Sequence, residues 1–309
     1  MSSIGIDFGG TTIKSGLVVG GEIVHRGNLI ETETLGGADG IVEALVALVG
    51  QLGEHGQPPA AIGIGLPGFV DSENGIVHEL TNVPGWDEVP LRQILRDRTG
   101  LPVTIENDAK AMAYGEWKYG AARSGRYVVC ITLGTGVGGA LILDGKIHRG
   151  AKLAAGEIGH MSIDYRGRPG PYGTNGGLEE YIGNQQIAQR ATERYRAAGR
   201  EMTEEQCSPL HLAEAAHAGD AIARQLWEDL GDELGAALAS VVWIINPDTI
   251  VIGGGVAKAG ALIFDPLWKS IRNRTLDILH SDLRILPAAL GNDAGIIGSA
   301  ALALDAAGK

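Results

Sequence analysis

The chain reads as an α/β protein of two lobes with a cleft between them, and three observations predict this. Strands precede helices in each half of the sequence, and several strands run straight into glycine clusters. The segment around Gly10 recurs around Gly134, 124 residues later. In that repeat Gly10-Thr11 meets Gly134-Thr135, Gly16-Leu17-Val18-Val19 meets Ala140-Leu141-Ile142-Leu143, and Gly21-Glu22-Ile23 meets Gly145-Lys146-Ile147. Two hairpins of one design imply two halves built alike, and strands followed by covering helices imply α/β layers.

Taken in order, residues 3–8 form an apolar strand that ends in Gly9, Gly10, Thr11 and Thr12, and residues 13–19 and 22–28 follow as further strands. Ile41, Leu45, Leu48 and Val49 recur at helical spacing across residues 40–52. Residues 61–66 form a strand closed by Pro67-Gly68, and residues 82–95 hold a Pro-Gly-Trp turn and a short helix. A strand opens at Val103 and a helix at Ala109. Residues 127–133 are a strand that meets glycines, with residues 139–143 completing its hairpin. The stretch 156–177 is a Gly- and Pro-rich loop, after which helices occupy 178–196, 209–217 and 221–245. Pro247 ends that series. A strand at 249–252 runs into Gly253, Gly254 and Gly255, and residues 295–306 form a terminal helix.

The bulk composition bounds the function. With 309 residues the chain is long for one core, and two domains are expected. Apolar content of 44% and charged content of 20% are ordinary, but 48 glycines are not, and their clustering points to backbone approaching ligands closely. The net charge of −12 argues against nucleic acid as a partner, because nothing neutralises phosphates over a broad surface. A nucleotide remains compatible, since a few backbone amides can hold it. Cys130 and Cys207 lack metal-ligand spacing, which fits a reduced, cytoplasmic protein. The opening MSSIGIDFGG carries no targeting pattern. The longest apolar runs fall short of the roughly 18 residues of a membrane helix, so no membrane partner is expected.

Asn107 and Asp108 stand at the junction of the strand and helix in VTIENDAKAMAYGEW (103–117). As structure, they are natural N-cap residues that accept the orphan amides of the first helical turn. As function, a carboxylate at a helix N-terminus is held ionised by the helix dipole and sits where α/β sheets open onto ligands. The glycine clusters favour the second reading. Gly63, Gly65, Gly68 and Gly134, Gly136, Gly139 both spell G-x-G-x-x-G, yet a turn and a strand follow them where a dinucleotide site needs a helix. The G-x-x-x-x-G-K-[ST] loop is absent. What remains is Gly-Thr at two hairpin tips, where amides and hydroxyls can hold phosphates. Asp7, just before the first tip, is placed to hold Mg²⁺ through water. Gly253-Gly254-Gly255 suits a flat ring or ribose.

These pieces, in this order, resemble the ROK sugar kinases of the actin–hexokinase ATPase superfamily, over the chain from Ile4 to the terminal helix. DFGGTTIK (7–14) and LGTGVGG (133–139) are similar to the family's phosphate segments, IENDA (105–109) to its catalytic segment, GEIGHM (156–161) to its sugar segment and VIGGGV (251–256) to its adenosine site. LPGFVD (66–71) and NVPGW (82–86) are also typical. The resemblance implies a two-lobed actin-like ATPase (ribonuclease H-like) fold with a central cleft, its smaller lobe formed by residues 1–118 plus 295–309 and its larger by 119–294. It implies Asp108 as general base for the sugar hydroxyl. Gly68, Asn107, Asp108, Glu157, His160 and Glu179 would bind the sugar. Gly9, Gly10, Thr11, Thr12, Lys14, Thr135, Gly136, Gly138, Gly254, Gly255 and Val256 would bind ATP, with Mg²⁺ near Asp7. Carboxylates and an imidazole suit a polyol, because each pairs with particular hydroxyls.

The chain departs from the family after His160. Most members carry C-x-C-G-x-x-G-C-x-E there, a structural zinc site completed by that histidine. GPYGTNGGLE (170–179) keeps the register but puts Gly170, Tyr172 and Gly177 at the cysteine positions. Without thiolates no zinc site is expected, and Tyr165, Tyr172, Pro169 and Pro171 are expected to pack the loop instead. The whole reading is an ATP- and Mg²⁺-dependent kinase acting on the 6-hydroxyl of an aldohexose, first glucose, as a cytoplasmic homodimer whose lobes close over the sugar. Fructose, mannose, N-acetylmannosamine and N-acetylglucosamine are the alternative substrates. A sugar-sensing regulator is the alternative class; the family's repressors carry an N-terminal helix-turn-helix segment, whereas the phosphate strand here starts at Ser3.

Overall fold

The structure, a computed structural model, describes residues 1–80, 83 and 86–308. The chain separates into two compact units. The first comprises Met1–Ser124, Lys146–Ala155 and Ala289–Lys309, and the second Gly125–Gly145 and Gly156–Ala288.

In the first unit, Ser2–Phe8 and Thr12–Val19 form an antiparallel hairpin, with Phe8 opposite Ile13. Ser2–Phe8 pairs in parallel with Ile62–Leu66, which pairs in parallel with Val103–Asn107. Strands buried on both faces read as near-continuous apolar runs, and Ile4, Ile6, Ile62, Ile64 and Ile105 are each no more than 1% exposed. Helix Ala38–Gly53 packs its Ile41, Leu45, Leu48 and Leu52 stripe into the same core.

In the second unit, Tyr127–Leu133 and Val137–Leu143 form the hairpin, with Leu133 opposite Val137. Tyr127–Leu133 then pairs in parallel with Thr249–Gly253, and that strand in parallel with Arg284–Pro287. The repeat seen in the sequence is thus a repeat of topology: a hairpin followed by two parallel neighbours, in each unit. The 25-residue helix Ala221–Ile245 supplies much of the second core, with Leu226, Trp227, Leu230, Leu234 and Leu238 at most 1% exposed.

Several expected elements are altered by local chemistry. The helix expected over 178–196 is two, Glu179–Ile182 and Asn184–Ala197, because Gly183 is extended at φ −66°, ψ 152°. Helix Ala261–Arg274 escapes a sequence reading since Pro266 lies inside it. Strand Arg284–Pro287 and the small sheet of Phe69–Asp71, Ile76–Glu79 and Asp87–Val89 carry no clear alternation. Of the NVPGW turn, Asn82, Pro84 and Gly85 lie outside the described residues, while Trp86 is buried.

The terminal helix Ala294–Ala307 positions the strand–helix junction that carries Asn107 and Asp108. It lies against Ser2–Phe8, Ile62–Leu66 and helix Asp108–Lys118. A methyl group at Gly298 would fall 1.8 Å from the carbonyl oxygen of Ala111, and one at Gly63 1.8 Å from that of Ser299. Backbones therefore touch where side chains would hold them apart. Gly298→Ala is expected to destabilise the protein by about 3 kcal/mol, as overpacking against rigid backbone does. A urea midpoint equal to that of the wild type would contradict this packing.

Candidate active site

In the first unit, strand Val103–Asn107 delivers Asn107 to the N-cap of helix Asp108–Lys118. Asn107 Oδ1 accepts the amide of Lys110 at 3.2 Å, and Asp108 Oδ1 accepts the amide of Ala109 at 2.8 Å. Both readings of this pair therefore hold together: Asn107 is the cap, and the carboxylate of Asp108 sits at the positive end of the helix, partly exposed. Asn107 Nδ2 also reaches the carbonyl of Gly68 at 3.5 Å, so three of the expected sugar residues lie together. Gly68 is exposed at φ 83° after the buried strand Ile62–Leu66.

The first glycine corner is closed by the amide of Gly9 donating to the carbonyl of Thr12 at 2.8 Å. Gly10 and Thr11 form its exposed tip. Asp7 stands one residue below the corner strand's end, directly across the hairpin from Lys14. Burial pushes the Asp7 carboxyl above its ordinary range, and the Lys14 charge only partly offsets this. Gly295, at the start of the terminal helix, makes room for that carboxylate; a methyl group there would fall 2.6 Å from Oδ1. Nothing in the sequence pattern singles out Gly295, because its contact lies 288 residues from Asp7 along the chain.

In the second unit, the Gly134 amide donates to the carbonyl of Gly136 at 3.0 Å, leaving Thr135 exposed at the tip. Glu179 closes onto the same corner, its Oε2 accepting the Val137 amide at 2.7 Å. The GEIGHM segment lies along strand Val137–Leu143. Gly159 has no space for a side chain, since a methyl group would fall 2.2 Å from the carbonyl oxygen of Val137. This anchors Ile158 inward and leaves Glu157 exposed and His160 half-buried on either side of it. Gly138 is half-buried within the same strand. Gly254 and Gly255 are exposed after the buried strand Thr249–Gly253, whereas the Val256 side chain is fully buried, so only its backbone can meet a ligand.

The loop after His160 is not packed by the residues expected to do so. Tyr165, Tyr172, Pro169 and Pro171 are all exposed, Tyr172 at 91%. Hydrogen bonds fold it instead. Isolated bridges pair Ser162 with Gly177 and Pro169 with Asn175. The Arg168 amide donates to Tyr181 Oη at 3.2 Å, its carbonyl accepts from Gly176 at 2.6 Å, and its guanidinium donates to the Glu180 carbonyl while lying over the Tyr181 ring. Tyr172 does meet His160, edge to face, with centroids 5.7 Å apart. Among the described residues no cluster of three or more His, Cys, Asp or Glu is placed to hold a metal ion.

Two α/β units of one topology, each hairpin closed by a glycine corner, define the class of the actin-like ATPases. The ROK family model matches residues 3–306, and the chain belongs to the ROK family. It is 36% identical to a glucokinase of Halalkalibacterium halodurans, across 96% of this chain and 92% of that one. Among solved structures it is similar to a ROK family glucokinase from Streptomyces griseus in complex with glucose and AMPPNP. That likeness has a TM-score of 0.81 at 34% identity and covers 99% of this chain and 100% of the other. It is also similar to the ROK hexokinase from Thermus thermophilus, with a TM-score of 0.86 at 30% identity and full coverage of both chains.

The raised pKa of Asp7 has a direction in stability. A carboxyl whose folded pKa exceeds its unfolded one contributes stability below the unfolded value and loses it as pH rises through the folded value. Asp7→Asn is therefore expected to raise the urea midpoint of the ligand-free protein at neutral pH. The gain over wild type should shrink as the pH falls into the carboxylate range. An Asp7→Asn protein that is less stable than wild type at neutral pH would show that the carboxylate is compensated.

Proposed function

We propose that this protein is an ATP- and Mg²⁺-dependent kinase that transfers a phosphoryl group to the 6-hydroxyl of an aldohexose, first glucose. The observation that carries the reading is the Asp108 carboxylate, fixed at a helix N-terminus beside Asn107 and Gly68, in a chain 34% identical to an enzyme seen with glucose and AMPPNP.

Phosphoryl transfer passes through a loose transition state, so an enzyme mainly positions groups and balances charge. Asp108 accepts the proton of the attacking hydroxyl as its oxygen bonds the γ-phosphorus of ATP and the bond from that phosphorus to the bridging oxygen breaks, releasing ADP. Proton removal need not lead the reaction, so a carboxylate placed at a helix N-terminus suffices. Asn107 and the Gly68 backbone orient neighbouring hydroxyls, and Glu157, His160 and Glu179 select the ring. Amides of Gly10, Thr11 and Thr12 and the two threonine hydroxyls hold phosphate oxygens, with Gly9 closing the corner beneath them, and Thr135, Gly136 and Gly138 do the same at the second corner. Lys14 adds positive charge beside them, and Gly254, Gly255 and the Val256 backbone receive the adenosine. Asp7 fits a hydrated Mg²⁺, because its buried carboxylate is only partly compensated by Lys14. A Mg²⁺ held there would supply positive charge to the phosphates.

Asp108→Ala is expected to lower kcat at least about a thousandfold, in line with loss of a positioned general base, while the circular dichroism spectrum stays that of the wild type. Substantial residual turnover would remove Asp108 from the base role. A coupled ADP-release assay over glucose, mannose, fructose, N-acetylmannosamine and N-acetylglucosamine is expected to give its highest kcat/KM with glucose. Another sugar ahead of it reassigns the substrate, and binding without turnover favours a non-catalytic sugar sensor.

We also read the protein as a cytoplasmic homodimer. In support, no described helix is long and apolar enough to cross a membrane. The second unit exposes Trp243, Ile244, Leu276 and Ile278, the last at 83%, an apolar surface that a second copy can cover. Ile244→Lys combined with Ile278→Lys is expected to convert a dimer to a monomer in light scattering; a mass unchanged by the pair places the contact elsewhere.

A further inference from the structure

Two charged side chains that flank Asn107 and Asp108 have no part in the reaction described above. Glu106 and Lys110 are 2% and 1% exposed. Burying a charge is costly unless it is paired, so their partners show what the burial achieves. Glu106 Oε2 accepts from Arg149 Nε at 2.8 Å and lies 2.7 Å from Arg149 Nη2. Its Oε1 accepts the Asn107 amide at 3.0 Å. Lys110 Nζ donates to the carbonyl of Leu153 at 3.1 Å. Leu153 itself has φ 61°, a left-handed conformation that a branched side chain adopts only when surroundings enforce it.

Both partners lie on one short strap of chain. Within it the Ala155 amide donates to the Arg149 carbonyl at 2.9 Å and the Leu153 amide to the Gly150 carbonyl at 3.3 Å. The strap is therefore a closed turn with both of its halves tied to the turn that carries Asn107 and Asp108. Glu157 follows Ala155 by only two residues. Two residues span at most about 7 Å, so holding Ala155 limits where the Glu157 backbone can begin.

We propose that Glu106, Lys110 and Arg149 are positioning residues that clamp the strap 149–155 to the Asn107-Asp108 turn and so fix the point from which the chain enters the sugar segment. The inference rests on the sugar-kinase reading for its effect on catalysis, but the clamp itself does not. Arg149→Met leaves the buried Glu106 charge unpaired and lowers stability. Glu106→Gln combined with Arg149→Met removes that charge while keeping an acceptor for the Asn107 amide. Lys110→Met loosens the strap from its other half.

The test measures thermal stability and glucose kinetics for Arg149→Met, Lys110→Met and the Glu106→Gln/Arg149→Met pair. Arg149→Met and Lys110→Met should each raise the KM for glucose about tenfold, with kcat within about threefold and the KM for ATP unchanged, the pattern of lost ground-state positioning. The pair should regain melting temperature yet keep the raised KM. If KM recovers together with melting temperature, or stays within about twofold of wild type in all three proteins, the residues are structural only and the proposal falls. A readout independent of sugar is tryptic cleavage after Lys152, which is exposed on the strap. Cleavage should be faster in the Arg149→Met protein and in the pair than in wild type, and an unchanged rate overturns the clamp. A wild-type protein that phosphorylates no sugar defeats the kinase reading alone, and the cleavage rates then decide the clamp.

Discussion

Close approach of backbone to backbone is the constraint on which the first unit depends. The terminal helix Ala294–Ala307 touches a sheet on one side and helix Asp108–Lys118 on the other. Its contacts run through Gly5, Gly63, Gly115 and Gly298, where an added methyl group would fall within 2.7 Å of a neighbouring carbonyl oxygen. Glycine in a helix or strand interior loses stability through chain entropy, and that loss is offset here by van der Waals contact along whole backbone surfaces. The result is a rigid seat for two carboxylates. Asp108 begins one helix of the contact, and Asp7 faces the start of the other, beside Gly295.

Charge in the molecule is arranged on the same terms. Partly exposed carboxylates such as Asp108 are held by amides at a helix end, and a fully enclosed one such as Glu106 is held by a guanidinium. Asp7 is held differently, a partly buried carboxylate offset by the charge of Lys14 across the hairpin. The Arg26 guanidinium is engaged by Asp293 instead, with contacts of 2.8 and 2.6 Å. Perturbed groups of this kind cluster at functional sites.

Much of the fold was legible because the strongest signals were local. Strand Tyr127–Leu133 and helices Pro209–His217 and Ala221–Ile245 follow from their residue patterns, and in the structure Ser208 and Asp220 cap the two helices. Ala261–Arg274 was hidden by Pro266, whose local rule is overridden by packing against Gly231. In the site, Asn107, Asp108 and the two Gly-Thr corners announce themselves by residue type at an element boundary. Gly295, Arg149 and Lys110 do not, since their roles arise from contacts distant along the chain. The loop after His160 misled for another reason: aromatic and proline residues suggest packing, but Arg168 organises the segment through hydrogen bonds to Gly176, Glu180 and Tyr181.

The two hairpins share a topology but not a register. The first closes at Phe8 opposite Ile13, the second at Leu133 opposite Val137, so the first corner is one residue longer. At the 124-residue spacing Asp7 has Ile131 as its counterpart, an apolar residue paired with Gly139. A scaffold that is twofold in its backbone is therefore onefold in its charge. Each corner nevertheless has a carboxylate beside it, Asp7 from the first hairpin's own strand and Glu179 from a helix outside the second hairpin. The acid at the first corner is thus fixed by strand pairing, whereas the acid at the second is set by the seating of the helix that carries it.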